Sequence, residues 1–168
     1  MGENIGAAFE RVARVLSLRP SLGRDTGITR ARIRDGLTCD IEAGRWRLVA
    51  DMPGPAGGAE AGPTPGIYGR AALASCLAIS YAMYAAKLGV PIQSLDVEVQ
   101  ADFDDGALYG VSDSPPGYLE VRYVVTVETT APEADVLRVL DEGDAHSPYL
   151  DVFGRAQSCR RVVRIVGA

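Results

Sequence analysis

The sequence has few of the residues from which metal centres and disulfide frameworks are built. Its 168 residues include three cysteines, Cys39, Cys76 and Cys159, and a single histidine, His146. Three scattered cysteines exclude a disulfide framework and a CxxC zinc site. One histidine excludes HExxH chemistry and any site with several histidine ligands. We therefore expect no metal and no cofactor.

Basic charge is also scarce, with 17 Lys and Arg against 22 Asp and Glu and a formal net charge of -5. Nucleic acids and anionic membrane surfaces are bound through a surplus of Lys and Arg. The charge balance therefore predicts that neither nucleic acid nor a membrane is a partner.

Long apolar runs are absent as well. The least polar stretch, residues 71–86, lies between Arg70 and Lys87. It is shorter than the roughly 20 residues that a transmembrane helix needs, so we interpret it as a buried core helix. The N-terminus carries charges where a signal sequence would be apolar. These features predict a cytoplasmic protein whose cysteines are reduced at rest.

Hydrophobic periodicity predicts a first helix over residues 4–18, which Pro20 ends. The period then changes to the alternation that is typical of strands. Glycine-containing turns divide this region into three short antiparallel strands, predicted at 28–34, 37–42 and 45–50.

A loop rich in Gly and Pro follows at 51–66, with no Gly-Lys-Ser/Thr to make it a nucleotide site. Thr64 and Pro65 are typical of a helix start, and Gly89 is typical of a helix end just beyond Leu88. This central helix has almost no polar face, so its surroundings must cover it on nearly every side. We expect a symmetric dimer that packs two such helices together.

The remaining pattern predicts an α+β fold with a largely antiparallel sheet and the long central helix. The predicted elements are strands at 94–103 and 118–128, a polar loop between them, a helix from a Thr130/Glu133 capping box to about Gly143, a helical turn capped by Ser147, and a last strand at 160–166. We interpret residues 1–168 as one domain, with a helical extension at 1–20 and a core at 28–166.

Cys76, inside the central helix, is the first candidate for chemistry. A free cysteine in such a place is commonly a small buried hydrophobic residue. A reactive thiolate would need a cation from elsewhere in the fold, because the helix dipole acts mainly in the first turn. Arg34, which precedes an Asp-Gly turn, could supply it; the alternative is an ordinary exposed arginine. Cys39 and Cys159 are predicted to be structural.

His146 and Ser147, followed by Pro148, form the other candidate pair. A histidine beside a capping serine is typical of a helix start. The alternative is a hydrolase that uses Ser147 with His146. That alternative lacks a GxSxG elbow, and a histidine adjacent to its own serine is poorly placed to act as its base.

The stretch from Gly57 to Pro91, GGAEAGPTPGIYGRAALASCLAISYAMYAAKLGVP, resembles the OsmC-like family of osmotically inducible protein C and the organic hydroperoxide resistance proteins. The resemblance runs from about Thr29 to Val166 and leaves the first helix outside the common core. It implies an OsmC-like fold in an intertwined homodimer with sites at the subunit interface.

The resemblance also implies residue roles. In the peroxidase branches, a helix cysteine attacks the hydroperoxide and an arginine of an Arg-Asp-Gly turn stabilises its thiolate. A glutamate after the helix-opening proline orients that arginine, and a second cysteine, in a Cys-Pro pair, closes a disulfide. Cys76 and Arg34 match the first two positions, whereas Gly66 and Ser147 stand at the other two. Without the second thiol, a sulfenic acid at Cys76 depends on an external thiol reductant.

Two residues could compensate for these losses: Glu60 for the carboxylate, and Cys159 as a displaced resolving cysteine. The first functional hypothesis is a one-cysteine thiol peroxidase, or a hydroperoxide-responsive protein, of the oxidative stress response. Its catalytic residues would be Cys76 and Arg34. Its apolar substrate pocket would be lined by His146, Ser147, Tyr149 and Met83. The alternative is a non-catalytic OsmC-like dimer that binds a small hydrophobic ligand or a partner.

Overall fold

The computed structural model describes residues 4–167, so residues 1–3 of the predicted extension and residue 168 lie outside the described residues. The chain has an α+β architecture. Its elements are, in order, α1 (Ile5–Leu18), β1 (Arg30–Asp35), β2 (Thr38–Ala43), β3 (Trp46–Ala50), α2 (Pro65–Leu88), β4 (Ser94–Asp102), α3 (Asp105–Leu108), β5 (Glu120–Glu128), α4 (Glu133–Ala145) and α5 (Pro148–Gly154).

The strands form two separate antiparallel sheets rather than the single sheet that the sequence predicts. One sheet has the order β1-β2-β3, and the other pairs β4 with β5. In the second sheet Leu95 lies opposite Val127 and Val97 opposite Val125. The alternation of β4 and β5 turns one apolar face toward α2, where Leu95, Val97 and Val125 pack against the core.

The core is organised around α2. Leu73, Leu77 and Tyr81 are fully buried along one side of this helix, and Val139 of α4 is buried against them. The boundaries of the helix agree with the prediction, since Pro65 is its first residue and Gly89 ends it with φ +69. Only α2, among the described residues, is long and apolar enough to span a membrane. Its buried side chains instead form the centre of this fold.

A partly buried cluster of two tyrosines and an aspartate joins α2, β5 and α4. The hydroxyls of Tyr81 and Tyr123 donate to the two carboxylate oxygens of Asp144, at 2.5 and 2.9 Å. Burial, together with the hydrogen bond to Asp144, raises the pKa of Tyr81 and raises that of Tyr123 to about 12. Both tyrosines therefore stay protonated and act as donors at physiological pH.

The β1-β2-β3 sheet lies apart from this core and is joined to the rest of the chain through Asp51. The Asp51 side chain is almost entirely buried and accepts hydrogen bonds from the Thr38 hydroxyl and from the amides of Met52, Ala59 and Ala61. Burial acts to raise the pKa of Asp51, but these hydrogen bonds together hold it below its ordinary value. The ionised carboxylate of Asp51 thus links strand β2, through Thr38, to the Gly/Pro loop, through the amides of Met52, Ala59 and Ala61.

Residues 160–166 are not a strand, which corrects the sequence prediction. The segment is exposed and has no regular secondary structure, although its Arg and Val residues alternate as strand residues do. A strand needs a neighbour for its backbone hydrogen bonds, and no edge within residues 4–167 pairs with this segment.

Two smaller predictions are also wrong. Helix α4 has Pro132 as its N-cap without a side-chain hydrogen bond, so Thr130 and Glu133 do not form a capping box. Just before this helix the hydroxyl of Thr129, rather than that of Thr130, accepts a hydrogen bond from a backbone amide, that of Ala131. The polar loop after β4 also contains the short helix α3.

Substitution of Gly143 by alanine should destabilise the protein. A Cβ at position 143 would lie 2.4 Å from Cδ1 of the buried Tyr81 ring, so either α4 or α2 must shift. Overpacking of this kind costs about 1–3 kcal/mol, which outweighs the gain of about 1 kcal/mol that alanine brings to a helix. The free energy of unfolding in urea measures the effect.

Gly154→Ala is the matched control, because Gly154 is also helical and open space surrounds it. Equal free energies of unfolding for the two variants would show that the packing of α4 against α2 does not require a glycine at position 143.

Candidate active site around Cys76

Cys76 lies in the middle of α2, half-buried, and faces the start of α5. Its Sγ is 3.5 Å from the Oγ of Ser147, which is only 3% exposed. Ser147 is held there because it caps α5, and its Oγ accepts from the Leu150 amide at 3.3 Å. An oxygen that already accepts one hydrogen bond still has its own proton to donate. Ser147 can therefore stabilise negative charge on the Cys76 sulfur.

Arg34 does not lie beside Cys76 within the described chain. It belongs to β1, its side chain is 57% exposed, and its Nε is 3.6 Å from the Asp40 carboxylate on β2. Glu60 does not reach Arg34 either, because its carboxylate accepts from the Gly54 amide at 3.0 Å. A single chain therefore supplies the cysteine and its serine neighbour without the cation that the sequence analysis expects.

The other predicted pocket residues lie at the surface. The His146 ring stacks on Tyr84 at 5.3 Å between centroids, and its Nδ1 is 2.9 Å from the Glu142 carbonyl oxygen. Tyr149 and Met83 are both exposed. Within residues 4–167 the two side chains have different hydrogen-bond partners, the Glu142 carbonyl oxygen for His146 and the Leu150 amide for Ser147.

Two cavities flank this region, and Cys76 lines neither. The smaller, about 350 Å³, lies between β5, α5 and Leu73 of α2. The larger, about 870 Å³, lies between the Gly/Pro loop, the start of α2 and the segment around α3. This larger cavity and its Arg70 are not predicted from the sequence. The available signal was the position of Arg70, which together with Lys87 is one of two charged residues in an otherwise uncharged helix.

No group of three or more His, Cys, Asp or Glu residues within residues 4–167 is arranged to hold a metal ion. The polar group in contact with the Cys76 thiol is the Ser147 hydroxyl.

Comparison with solved structures gives the same fold. The chain resembles an OsmC-like protein from Mycoplasma pneumoniae, with a TM-score of 0.65 and 14% identity over 77% of this chain and 88% of the other. A protein from Legionella pneumophila described as an organic hydroperoxide resistance protein, OsmC, has a TM-score of 0.55 and 15% identity, over 77% and 89% of the two chains. A protein of Aquifex aeolicus without assigned function has a TM-score of 0.62 and 11% identity, over 78% and 89%. At these identities the likeness shows the fold alone.

No curated protein matches the sequence significantly. The model of the family described as OsmC-like protein matches residues 57–160, which include the later part of the Gly/Pro loop, α2 with Cys76, both strands of the second sheet and Ser147. The match covers more than half of the chain and confirms the resemblance stated from the sequence. The chain is a member of the OsmC-like protein family.

Proposed function

We propose that this protein is a thiol peroxidase for organic hydroperoxides that uses Cys76 as its single peroxidatic cysteine. The observation that carries the proposal is the 3.5 Å contact between the Cys76 sulfur and the buried Ser147 hydroxyl. Family membership supports it, and one of the similar structures is described as an organic hydroperoxide resistance protein. The thiolate is the form of a cysteine that reacts with peroxides, and the Ser147 hydroxyl is the polar group that contacts this sulfur.

The chemistry has two stages. The Cys76 thiolate attacks the terminal oxygen of the hydroperoxide, so that an S–O bond forms while the O–O bond breaks. The alkoxide leaves and takes a proton from water to become the alcohol, and the sulfur, oxidised by two electrons, becomes a sulfenic acid. Two equivalents of an external thiol then reduce the sulfenic acid through a mixed disulfide, releasing water and a disulfide. This cycle suits a reducing compartment such as the cytoplasm.

We further propose that a second copy of the chain completes the site. Helix α2 leaves Ile79 and Met83 exposed on the side opposite Leu77 and Tyr81. The β1-β2-β3 sheet exposes large apolar side chains, Ile33, Trp46 and Leu48, and residues 160–166 have no strand partner within residues 4–167. Uncovered apolar surface on this scale, distributed over three elements, is typical of an obligate homodimer.

The dimer would also supply the missing parts of the site. We propose that Arg34 of one protomer approaches Cys76 of the other and favours its thiolate. We place His146, Tyr149 and Met83 around an apolar entrance for the hydroperoxide in the assembled protein. Hydroperoxides with an apolar substituent should therefore be reduced faster than hydrogen peroxide.

A second candidate is a non-catalytic dimer that binds a small hydrophobic ligand. It is favoured by the pairing of Arg34 with Asp40 and by the large cavity that Cys76 does not line. In that case Cys76 is an ordinary half-buried core residue.

Dimedone trapping should distinguish the two candidates. Wild-type protein treated with a slight excess of cumene hydroperoxide in the presence of dimedone should gain one dimedone adduct within seconds, and Cys76→Ser should gain none. Intact mass spectrometry measures the adduct. Cys159→Ser is the control, because Cys159 is the most exposed of the three thiols and lies outside the site. Persistence of the adduct in Cys76→Ser, or its absence from wild type over minutes, would favour the second candidate.

Ser147→Cys should convert the protein into a two-cysteine enzyme. The Cys76 sulfur and the Ser147 oxygen are already 3.5 Å apart, so a sulfur at position 147 starts close to the disulfide length of about 2.05 Å. One equivalent of hydroperoxide should then produce a disulfide between Cys76 and the introduced thiol, detected as the loss of two hydrogens and mapped by peptide analysis.

The matched control for this variant is Ser75→Cys, because the Ser75 side chain is exposed and adjacent to Cys76 along the helix. A disulfide in the Ser75 variant but not in the Ser147 variant would mean that α5 does not stay against Cys76 in solution.

A charge on the exposed side of α2 should separate the proposed dimer. Wild-type protein should have the mass of two chains in light scattering, and Ile79→Arg should have the mass of one, because burying an unpaired arginine between two helices is unfavourable. Leu137→Arg on α4 is the control, since Leu137 is 51% exposed and Ile79 is 60% exposed. A wild-type mass of one chain would contradict the proposed dimer.

A further inference from the structure

The turn that joins α4 to α5 determines where Ser147 lies relative to Cys76. This turn is short, since α4 ends at Ala145, α5 begins at Pro148, and Ser147 is the N-cap of α5. The Ser147 amide donates to the Asp144 carbonyl oxygen at 3.2 Å. The position of the Ser147 backbone is therefore set by the last turn of α4, and in particular by Asp144.

Two neighbouring residues of α2 hold this last turn of α4. The Ser80 hydroxyl donates to the Gly143 carbonyl oxygen at 3.0 Å. The Tyr81 hydroxyl donates to the Asp144 carboxylate at 2.5 Å, and the Tyr81 side chain is fully buried. The turn is thus attached to the same helix that carries Cys76.

The spacing of these contacts is the same on both sides. Cys76 and Ser80 are four residues apart on α2, so they lie on one face of the helix and about 6 Å apart along its axis. Their partners, Ser147 and Gly143, are also four residues apart and run in the opposite direction. A displacement of the chain at Gly143 would therefore be transmitted to Ser147, one helical turn away along α2.

Strand β5 supplies a second anchor for the same turn. The Tyr123 hydroxyl donates to the other carboxylate oxygen of Asp144, at 2.9 Å. Both oxygens of this carboxylate thus accept from phenolic hydroxyls, one on α2 and one on β5. Hydrogen bonds to an ionised acceptor are stronger than those between neutral groups. The side chain of Asp144 is therefore fixed from two elements, while its carbonyl oxygen holds Ser147.

We propose that Asp144 is a positioning residue that keeps the Ser147 hydroxyl against the Cys76 sulfur, and that the two tyrosines hold Asp144 in place. Asp144 acts through the backbone of the turn and does not itself contact the reacting atoms. Its importance for catalysis rests on the proposed function, in which Cys76 is peroxidatic. The geometric part of the proposal concerns a distance and is independent of that function.

Thiol–disulfide equilibrium in the Ser147→Cys protein tests the geometric part without any hydroperoxide. The protein is equilibrated in glutathione redox buffers, and peptide mass spectrometry measures the fraction that carries the disulfide between Cys76 and the introduced thiol. The midpoint gives the effective concentration of one thiol for the other, which falls when the two groups are no longer held together. Adding Asp144→Ala should lower it about tenfold or more, because hydrogen bonds to a charged group are lost.

Two conservative variants refine this test. Tyr123→Phe removes one of the two phenolic donors and keeps the ring, so it should lower the effective concentration by a smaller factor. It gives the same test if Asp144→Ala does not fold. Asp144→Asn should restore most of the loss, because the amide oxygen still accepts from one phenol and the amide nitrogen can donate to the other.

Tyr68→Phe is the matched control, because it removes a phenolic hydroxyl of the same helix that donates to the Val49 carbonyl oxygen at 2.7 Å, away from the turn. It should leave the effective concentration unchanged, whatever its effect on the free energy of unfolding in urea. The proposal is overturned if Asp144→Ala and Tyr123→Phe leave the effective concentration unchanged. An equal fall in Tyr68→Phe would also overturn it, because the effect would then be a general loss of stability.

A double-mutant cycle in the protein with its native cysteines tests the catalytic part. Asp144→Ala should slow the oxidation of Cys76 by cumene hydroperoxide, but it should have no further effect once Ser147→Ala has removed the hydroxyl. Additive effects of the two substitutions would overturn the proposal, since Asp144 would then not act through Ser147. If Asp144→Ala lowers the effective concentration but wild-type Cys76 is not oxidised, the proposed function fails and the positioning role stands.

Discussion

Burial of α2 is the constraint on which the rest of the structure depends. A 24-residue helix with apolar side chains on almost every face cannot be stable in water unless other elements cover it. The β4-β5 sheet, α1, α4 and α5 cover one side and produce the core of Leu73, Leu77 and Tyr81. One of the same covering elements, α5, brings Ser147 to the helix at the level of Cys76.

The contact between Cys76 and Ser147 is therefore a consequence of how α5 packs against α2. Ser147 has a structural task as the cap of α5 and retains one proton for the sulfur. Nothing else in the described chain brings charge to Cys76, since Arg34 is occupied by Asp40 on a sheet that lies apart from the core. In the proposed dimer, Cys76 and the uncovered side of α2 would both lie at the interface between two copies. That placement would explain why a single chain leaves this side exposed and brings no cation to Cys76.

Local patterns in the sequence were sufficient for most of the fold. The periodicity of α1, the Pro65 and Gly89 boundaries of α2 and the alternation of β4 and β5 are properties of neighbouring residues, and each was confirmed. Residues 160–166 show where local patterns are insufficient. Their alternation is typical of a strand, but a strand also needs a neighbouring strand to pair with its backbone. The predicted capping box is wrong because Pro132, not Thr130, is the N-cap of α4, and the neighbouring Thr129 makes the side-chain hydrogen bond in this turn.

The features of the candidate site likewise depend on contacts between residues that are distant in sequence. The contact of Cys76 with Ser147 joins residues 71 positions apart, and only the family resemblance indicated it. The cavity around Arg70 is lined by three segments that are distant in sequence, and no local sequence pattern predicts that these segments lie close together. The residue that a second copy would contribute is likewise a property of the assembly and not of any stretch of neighbouring residues.

The carboxylate of Asp51 divides the molecule into two parts that differ in how they respond to acid. Its ionised form holds the Gly/Pro loop and the β1-β2-β3 sheet in place through Thr38 and three backbone amides. Since its pKa is lowered in the folded protein, this stabilisation is complete above the ordinary pKa of an aspartate and is lost as the pH falls through the lowered value. The apolar packing of α2 does not rely on that charge. We therefore expect acid to weaken the sheet and its loop before the core, together with the wall that Met52 and Pro53 give to the larger cavity.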